Sequence, residues 1–344
     1  MRRRRETNLN RIEKGLEELD KPSFAETINQ GGYAQKTMTQ PPENDQDSRY
    51  DIDLGVVFED DDVAGSRTTR NWVRDAIARK ATNMKADPET KQKCVRVVYA
   101  DGYQCDFPVF KRHWTEVGWK YELSAGDEWI ASDPASMNKW IETTVSAKSP
   151  ETSGSYQLRR IMRLGKFYSK THASRLNRKF PSGLVASALF IEAYLAIKGR
   201  DDEAFRETLR TISYRSKHTP IYANGQQISD DKDTDRIQRL IDQAKASVEE
   251  LDKLDADDAT ASDASKAWKK VFRHSFFDEA KSAANSATAP LEKKSAVGAA
   301  SGLAAPFIAS QAAAALSEGE KSSRLAEAVA SRQSNGAGSK PWGK

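Results

Sequence analysis

Cysteine is almost absent from this chain. Its 344 residues contain two, Cys94 and Cys105, and four scattered histidines, His113, His172, His218 and His274, so no group has the spacing of zinc ligands. Both thiols are expected to be free and buried. An excess of either charge is also missing. Lys and Arg number 54 against 50 Asp and Glu, a formal charge of +4 spread along the chain, and composition alone therefore does not mark a nucleic-acid binder. The arginines Arg2 to Arg5 have no apolar stretch behind them, so a signal peptide is not expected and the chain reads as cytoplasmic. Charge disappears between Lys294 and Glu318, a run long enough to span a membrane. Ala, Ser and Gly dominate it, however, and Pro306 and Gln311 interrupt it, which predicts a flexible or weakly helical tail and no membrane association.

The informative stretch is Tyr50 to Phe58, Tyr-Asp-Ile-Asp-Leu-Gly-Val-Val-Phe, which reads as a strand. Side chains alternate faces along a strand, so Asp51 and Asp53 project together while Ile52 and Leu54 turn into a core. Neighbouring carboxylates on a buried strand repel each other by several kcal/mol unless a cation lies between them or one takes a proton. Magnesium suits this arrangement, since it binds through a few carboxylates together with substrate phosphates and water. A solvated pair of turn acids is the plainer alternative. A third acid argues against it: Asp106 stands on a second apolar run, Tyr103 to Phe110, paired through Asp101-Gly102 with Cys94 to Ala100 as a hairpin. With a two-residue turn, Cys105 falls opposite about Val98, so Cys94 and Cys105 do not meet.

Other segments follow from periodicity. Leu9, Ile12, Leu16 and Leu19 predict a first helix, and Phe24 to Ile28 a second short one that ends at Gly31-Gly32. Those glycines are either a C-cap or a turn that offers amide groups to phosphate. A helix is predicted over Ser66 to Met84, with further helices over Leu184 to Ile197, Glu203 to Ser213, Asp233 to Leu251 and Lys266 to Phe277, the last anchored by Trp268, Phe272 and Phe276. The aromatics between Trp119 and Trp140 are expected in a core.

Gly31-Gly32, Asp51-Ile52-Asp53 and Asp106 within Tyr-Gln-Cys-Asp-Phe-Pro together resemble the polymerase-β-type nucleotidyltransferase superfamily, most closely the bacterial cGAS/DncV-like branch (CD-NTases). Leu158 to Lys166 and Lys179-Phe180-Pro181-Ser182-Gly183 resemble that branch's helical lobe. The resemblance implies an α+β fold, a polymerase-β-like mixed sheet with flanking helices plus a second all-helical lobe. Its implied boundaries are a catalytic lobe over residues 1–150, a helical lobe over 151–282 and an Ala/Ser/Gly-rich tail over 283–344. It further implies that Asp51, Asp53 and Asp106 are catalytic and hold two Mg2+ (or Mn2+) ions, and that Gly31, Gly32, Lys166 and Ser182 bind the triphosphate of a ribonucleotide, ATP among the substrates. Two departures stand out: Gly32 replaces a serine common in relatives, and the interval from Gly32 to Asp51 is long. No zinc thumb is present, so activation by nucleic acid is not implied.

The implied reaction joins ribonucleoside triphosphates into a cyclic oligonucleotide second messenger with release of pyrophosphate, in the CBASS form of bacterial anti-phage signalling. Three alternatives stay open: transfer of a nucleotide to RNA, protein or a small molecule, a non-enzymatic nucleotide-binding scaffold, and a membrane-tethered interaction protein. The C-terminal Trp342-Gly343-Lys344 is a candidate handle for a ubiquitin-like conjugation partner, as in some relatives.

Overall fold

The computed structural model describes residues 2–43, 50–80, 82, 84–100 and 102–278. The expectations for the tail over 283–344 and its conjugation handle lie outside the described residues, as do Asp101 of the hairpin turn and most of the loop before Asp51. The described residues form two compact units, one from residues 2–36 and 50–142, the other from 37–43 and 143–278.

In the first unit, a mixed eight-stranded sheet carries helices on one face. Its elements are α1 (Arg2–Glu18), β1 (Glu26–Gln30), α2 (Gly31–Ala34), β2 (Tyr50–Glu59), α3 (Ser66–Lys80), β3 (Glu89–Thr90), β4 (Val95–Val98), β5 (Tyr103–Phe107), β6 (Val109–Thr115), β7 (Gly118–Ala125) and β8 (Glu128–Ala131). Strand β2 is central: β1 pairs with it antiparallel, while β5 and β6 pair with it in parallel and in one continuous register on either side of Pro108. The proline has no N–H to give, but its carbonyl accepts from Val56 at 2.9 Å, so the interruption leaves β2 satisfied. Period-two alternation sends Ile52, Leu54, Val56 and Phe58 into a core with Ile12 and Leu16 of α1 and Val73, Ala76 and Ile77 of α3. On the opposite face Val57 packs with Ile28 and Phe110. Helices α1 and α3 approach so closely that a Cβ on Gly15 would lie 2.2 Å from the Ala76 carbonyl oxygen.

The segment Phe24 to Ile28, expected to be helical, is strand β1 from Glu26. Its Thr27 and Ile28 are β-branched, and the free edge of β2 supplies a ladder running from Glu26↔Val57 to Gln30↔Asp53, a non-local pairing that outweighs the weak helical spacing. The hairpin register also differs by one residue. Tyr99 donates to the carbonyl of Tyr103 and Gly102, at φ +82°, to that of Tyr99, so the loop is one residue longer than a two-residue turn and Cys105 pairs with Val97 instead of Val98. Neither cysteine forms a disulfide, as expected; Cys105 is buried, whereas Cys94, expected to be buried too, is only half-buried. Trp119 is not a core residue: it is 40% exposed, edge-on to Trp114, with the Arg112 guanidinium 4.1 Å above its ring.

The division between the units falls within α4 (Pro134–Lys148). The second unit contains α5 (Gln157–Leu176), α6 (Gly183–Ala193), α7 (Asp201–Ser213), α8 (Thr234–Leu251) and α9 (Ala261–Phe272), together with a small ribbon, β9 (Tyr222–Ala223) and β10 (Gln226–Gln227), so this unit is helical but not purely so. Tyr168, Phe190, Phe205, Trp268, Phe272 and Phe277 form its buried aromatic centre, with Phe205 in contact with four of the others. Phe277 takes the anchoring place expected of Phe276, which is only half-buried, because α9 ends in a left-handed Arg273 (φ +53°) that redirects the chain. Among the described residues no helix is long and apolar enough to cross a membrane. Truncating Phe205 to Ala leaves a cavity amid these rings and is expected to destabilise the protein by about 3–5 kcal/mol in denaturant unfolding, whereas an unchanged midpoint would show that the ring cluster carries little of the stability.

Candidate active site

Asp53 and Asp106 are register partners on the parallel strands β2 and β5, and Asp51 partners Gln104 two residues earlier. In-register neighbours share a face, which brings the three carboxylates together: one ligand oxygen from each lies within 4.8 Å of the others. Asp106 is buried, Asp53 half-buried and Asp51 exposed, so the cluster opens to solvent on one side. Gln104 Nε2 donates to Asp51 Oδ1 at 3.3 Å. The residues fit a hard divalent cation, because the donor set is all carboxylate oxygen and no thiolate or imidazole belongs to it. Burial raises the Cys94 thiol to about 12, with the Asp106 charge adding to the effect, so this nearby sulfur adds no negative charge to the cluster in the metal-free protein.

Gly31 follows β1 and begins the four-residue helix α2, so Gly31-Gly32 opens a helix where the sequence predicted the end of one. At φ +59° Gly31 occupies the left-handed region, and a Cβ there would stand 1.9 Å from Asp53 Oδ2. A side chain at position 31 and Asp53 in its present place are mutually exclusive. Gly32 lies one residue into α2.

One neighbour of the acids escaped the sequence reading. Arg96 of β4 lies directly across from Asp106 and forks onto it, Nε to Oδ1 at 2.9 Å and Nη2 to Oδ2 at 2.7 Å. The hydrogen bond to Asp106 is the main cause holding Arg96 above its ordinary value, and burial works against it.

Lys166 and Ser182 belong to the second unit and converge there. Lys166 projects from α5 with Nζ 3.3 Å from Thr37 Oγ1, and its Cε lies 3.8 Å from where a Cβ on Gly183 would be. Ser182 is the N-cap of α6, its Oγ accepting from the Val185 amide at 3.4 Å. The lysine therefore stands beside the capped start of α6. Ser182 has a structural duty that the sequence reading did not assign, and its hydroxyl hydrogen remains able to donate.

Residues 25–110, from the approach to β1 through the start of β6, match the family model described as "Cyclic GMP-AMP synthase DncV-like, nucleotidyltransferase domain". That span includes Gly31, Gly32, Asp51, Asp53 and Asp106. Over these residues the chain is similar to the DncV-like nucleotidyltransferase domain. Solved structures similar to this chain include DncV of Vibrio cholerae, described as a cyclic AMP-GMP synthase and prokaryotic cGAS homolog, at 17% identity and a TM-score of 0.56 over 72% of this chain and 68% of that one. CdnC of E. coli MS115-1, solved with ATP, is 15% identical with a TM-score of 0.56 over 80% of this chain and 91% of that one. Its complex with HORMA-deltaN matches at 13% identity and the same TM-score, covering 79% and 89%. At these identities the likeness is one of fold, and it shows the polymerase-β-like mixed sheet with flanking helices expected from the motifs.

Proposed function

We propose that this nucleotidyltransferase synthesises a cyclic oligonucleotide from ribonucleoside triphosphates, with Mg2+ or Mn2+ held by Asp51, Asp53 and Asp106. The observation that carries the reading is the meeting of the three carboxylates on adjacent in-register strands of a DncV-like domain. Divalent ions bound there would neutralise triphosphate charge and make a ribose hydroxyl a competent nucleophile near neutral pH. The chain's own part is positioning. Strands β2 and β5 hold the acids in fixed register, Gly31 leaves Asp53 its space, and the opening amides of α2 at Gly31-Gly32 face no intrahelical acceptor and suit a phosphate oxygen. Lys166 and Ser182 supply a charge and a hydroxyl donor for the triphosphate. Successive transfers, each releasing pyrophosphate, close a ring when the free ribose hydroxyl of the last-added nucleotide attacks the α-phosphate of the triphosphate that the first nucleotide still carries.

The family resemblance supports a place in bacterial anti-phage signalling, in the cytoplasm where triphosphates are abundant, and a ubiquitin-like conjugation partner for the tail over 283–344. Incubation with four labelled ribonucleoside triphosphates and Mg2+ or Mn2+ tests the reaction: phosphatase-resistant cyclic products identified by mass spectrometry support it, and pyrophosphate release that occurs only with an added acceptor assigns the chain to acceptor transfer instead. For Lys166→Ala we expect KM for triphosphate to rise about tenfold with kcat little changed, the loss of one charge-assisted contact. Unchanged steady-state parameters would remove Lys166 from the substrate site.

A further inference from the structure

We propose that Arg96 is a positioning residue of the metal centre, a resident guanidinium that fixes the Asp106 carboxylate in one orientation and moderates the affinity of the three acids for a divalent cation. This rests on the reading of Asp51, Asp53 and Asp106 as the metal-holding set. The geometry is specific. A carboxylate on a two-carbon side chain rotates broadly about its last torsion, and two parallel N–H donors on its two oxygens, at 2.9 and 2.7 Å, lock that plane. The lock comes from the sheet itself, since Arg96 and Asp106 are an antiparallel cross-strand pair.

Charge points the same way. The Asp106 side chain is 9% exposed and the Arg96 side chain 35%, so the acid is withdrawn from water while the guanidinium keeps contact with it. Three carboxylates and one guanidinium leave a formal charge of −2 on the cluster, which one divalent cation balances. Arg96 also neighbours Cys94, the Asp51 carboxylate and, on the β3 side, its cross-strand partner Glu89, whose charge is paired with Lys91 at 2.5 Å. Each carboxylate oxygen has two acceptor directions, and the fork uses one on each, so Asp106 keeps capacity for a cation while Arg96 stays in place. Arg96 thus allows the acids to assemble before metal arrives, and its positive charge keeps the metal from binding more tightly than turnover needs.

Two substitutions in the full-length protein separate charge from geometry. Arg96→Gln removes both the charge and the fork. Mn2+ affinity without nucleotide, read by electron paramagnetic resonance titration, is expected to become about tenfold tighter, the effect of one unit charge on a nearby divalent ion. Its kcat is expected to fall about a hundredfold as Asp106 loses its orientation, with KM within about twofold. Arg96→Lys keeps the charge and loses the fork, so Mn2+ affinity should remain within about twofold of wild type while kcat falls as for the glutamine variant. Melting in EDTA checks folding: Arg96→Gln should melt lower than wild type and gain more from added Mn2+. If Arg96→Gln does not fold, the lysine variant decides, and wild-type turnover by it overturns the proposal. Unchanged or weaker Mn2+ binding by a folded Arg96→Gln overturns it as well. A wild-type protein that binds no Mn2+ and releases no pyrophosphate would overturn the metal-site reading itself, whereas an active wild type with indistinguishable Arg96 variants overturns only the role of Arg96.

Discussion

Asp53→Asn is expected to abolish nucleotidyl transfer, lowering turnover by about three orders of magnitude or more, because a neutral amide cannot supply the anionic oxygen that a divalent ion requires and the ion's stabilisation of transition-state charge amounts to several kcal/mol. Stability should move the other way. Asp53 stands with Asp51 and Asp106 in a cluster whose ligand oxygens are all within 4.8 Å, so removing one negative charge relieves repulsion in the metal-free protein and should raise its melting temperature in EDTA. Added Mn2+ should stabilise the variant less than the wild type. Those opposed effects distinguish loss of a metal ligand from damage to the fold, which would lower activity and melting temperature together. Wild-type turnover by Asp53→Asn contradicts the assignment.

Gly31→Ala should be nearly as damaging through a single methyl group. The added carbon would sit 1.9 Å from Asp53 Oδ2 and 2.8 Å from its Cγ, and the backbone at φ +59° is unfavourable for alanine before any clash is considered. Either Asp53 rotates away from Asp51 and Asp106 or α2 shifts, and both displace groups that the reaction needs aligned. Turnover is expected to fall about a hundredfold, as for an ångström-scale misplacement, with a stability loss of about 1–2 kcal/mol. Full activity in Gly31→Ala would mean that the approach of α2 to Asp53 is not the arrangement in which catalysis occurs.

The acidic strand β2 was legible because its physics is local. Alternation alone separates Ile52 and Leu54 from Asp51 and Asp53, and an acid pair on an apolar strand calls for a cation. Asp106 followed from the same reasoning on β5, and the helices of the second unit from apolar spacing. What depended on distant partners was harder to read. Strand β1 exists because β2 has an edge to offer it, which no window around Ile28 reveals. The residues 37–43 belong to the helical unit through contacts such as that of Thr37 with Lys166, far apart in sequence. Arg96 was missed through one residue of register: a two-residue turn points Arg96 away from Asp106, and the longer loop closed by Tyr99 and Tyr103 brings it opposite. Gly102 in a left-handed conformation was the available signal, since glycine at that place suits a three-residue loop as well as a two-residue turn.

The central claim is that Asp51, Asp53 and Asp106 hold the divalent ions for transfer, and anomalous diffraction from crystals soaked with Mn2+ and a non-hydrolysable ribonucleoside triphosphate tests it most directly. Manganese peaks are expected among these three carboxylates, with the triphosphate beside Gly31-Gly32. Manganese found only at other acidic groups, with the three carboxylates unliganded and the nucleotide bound elsewhere, would contradict it.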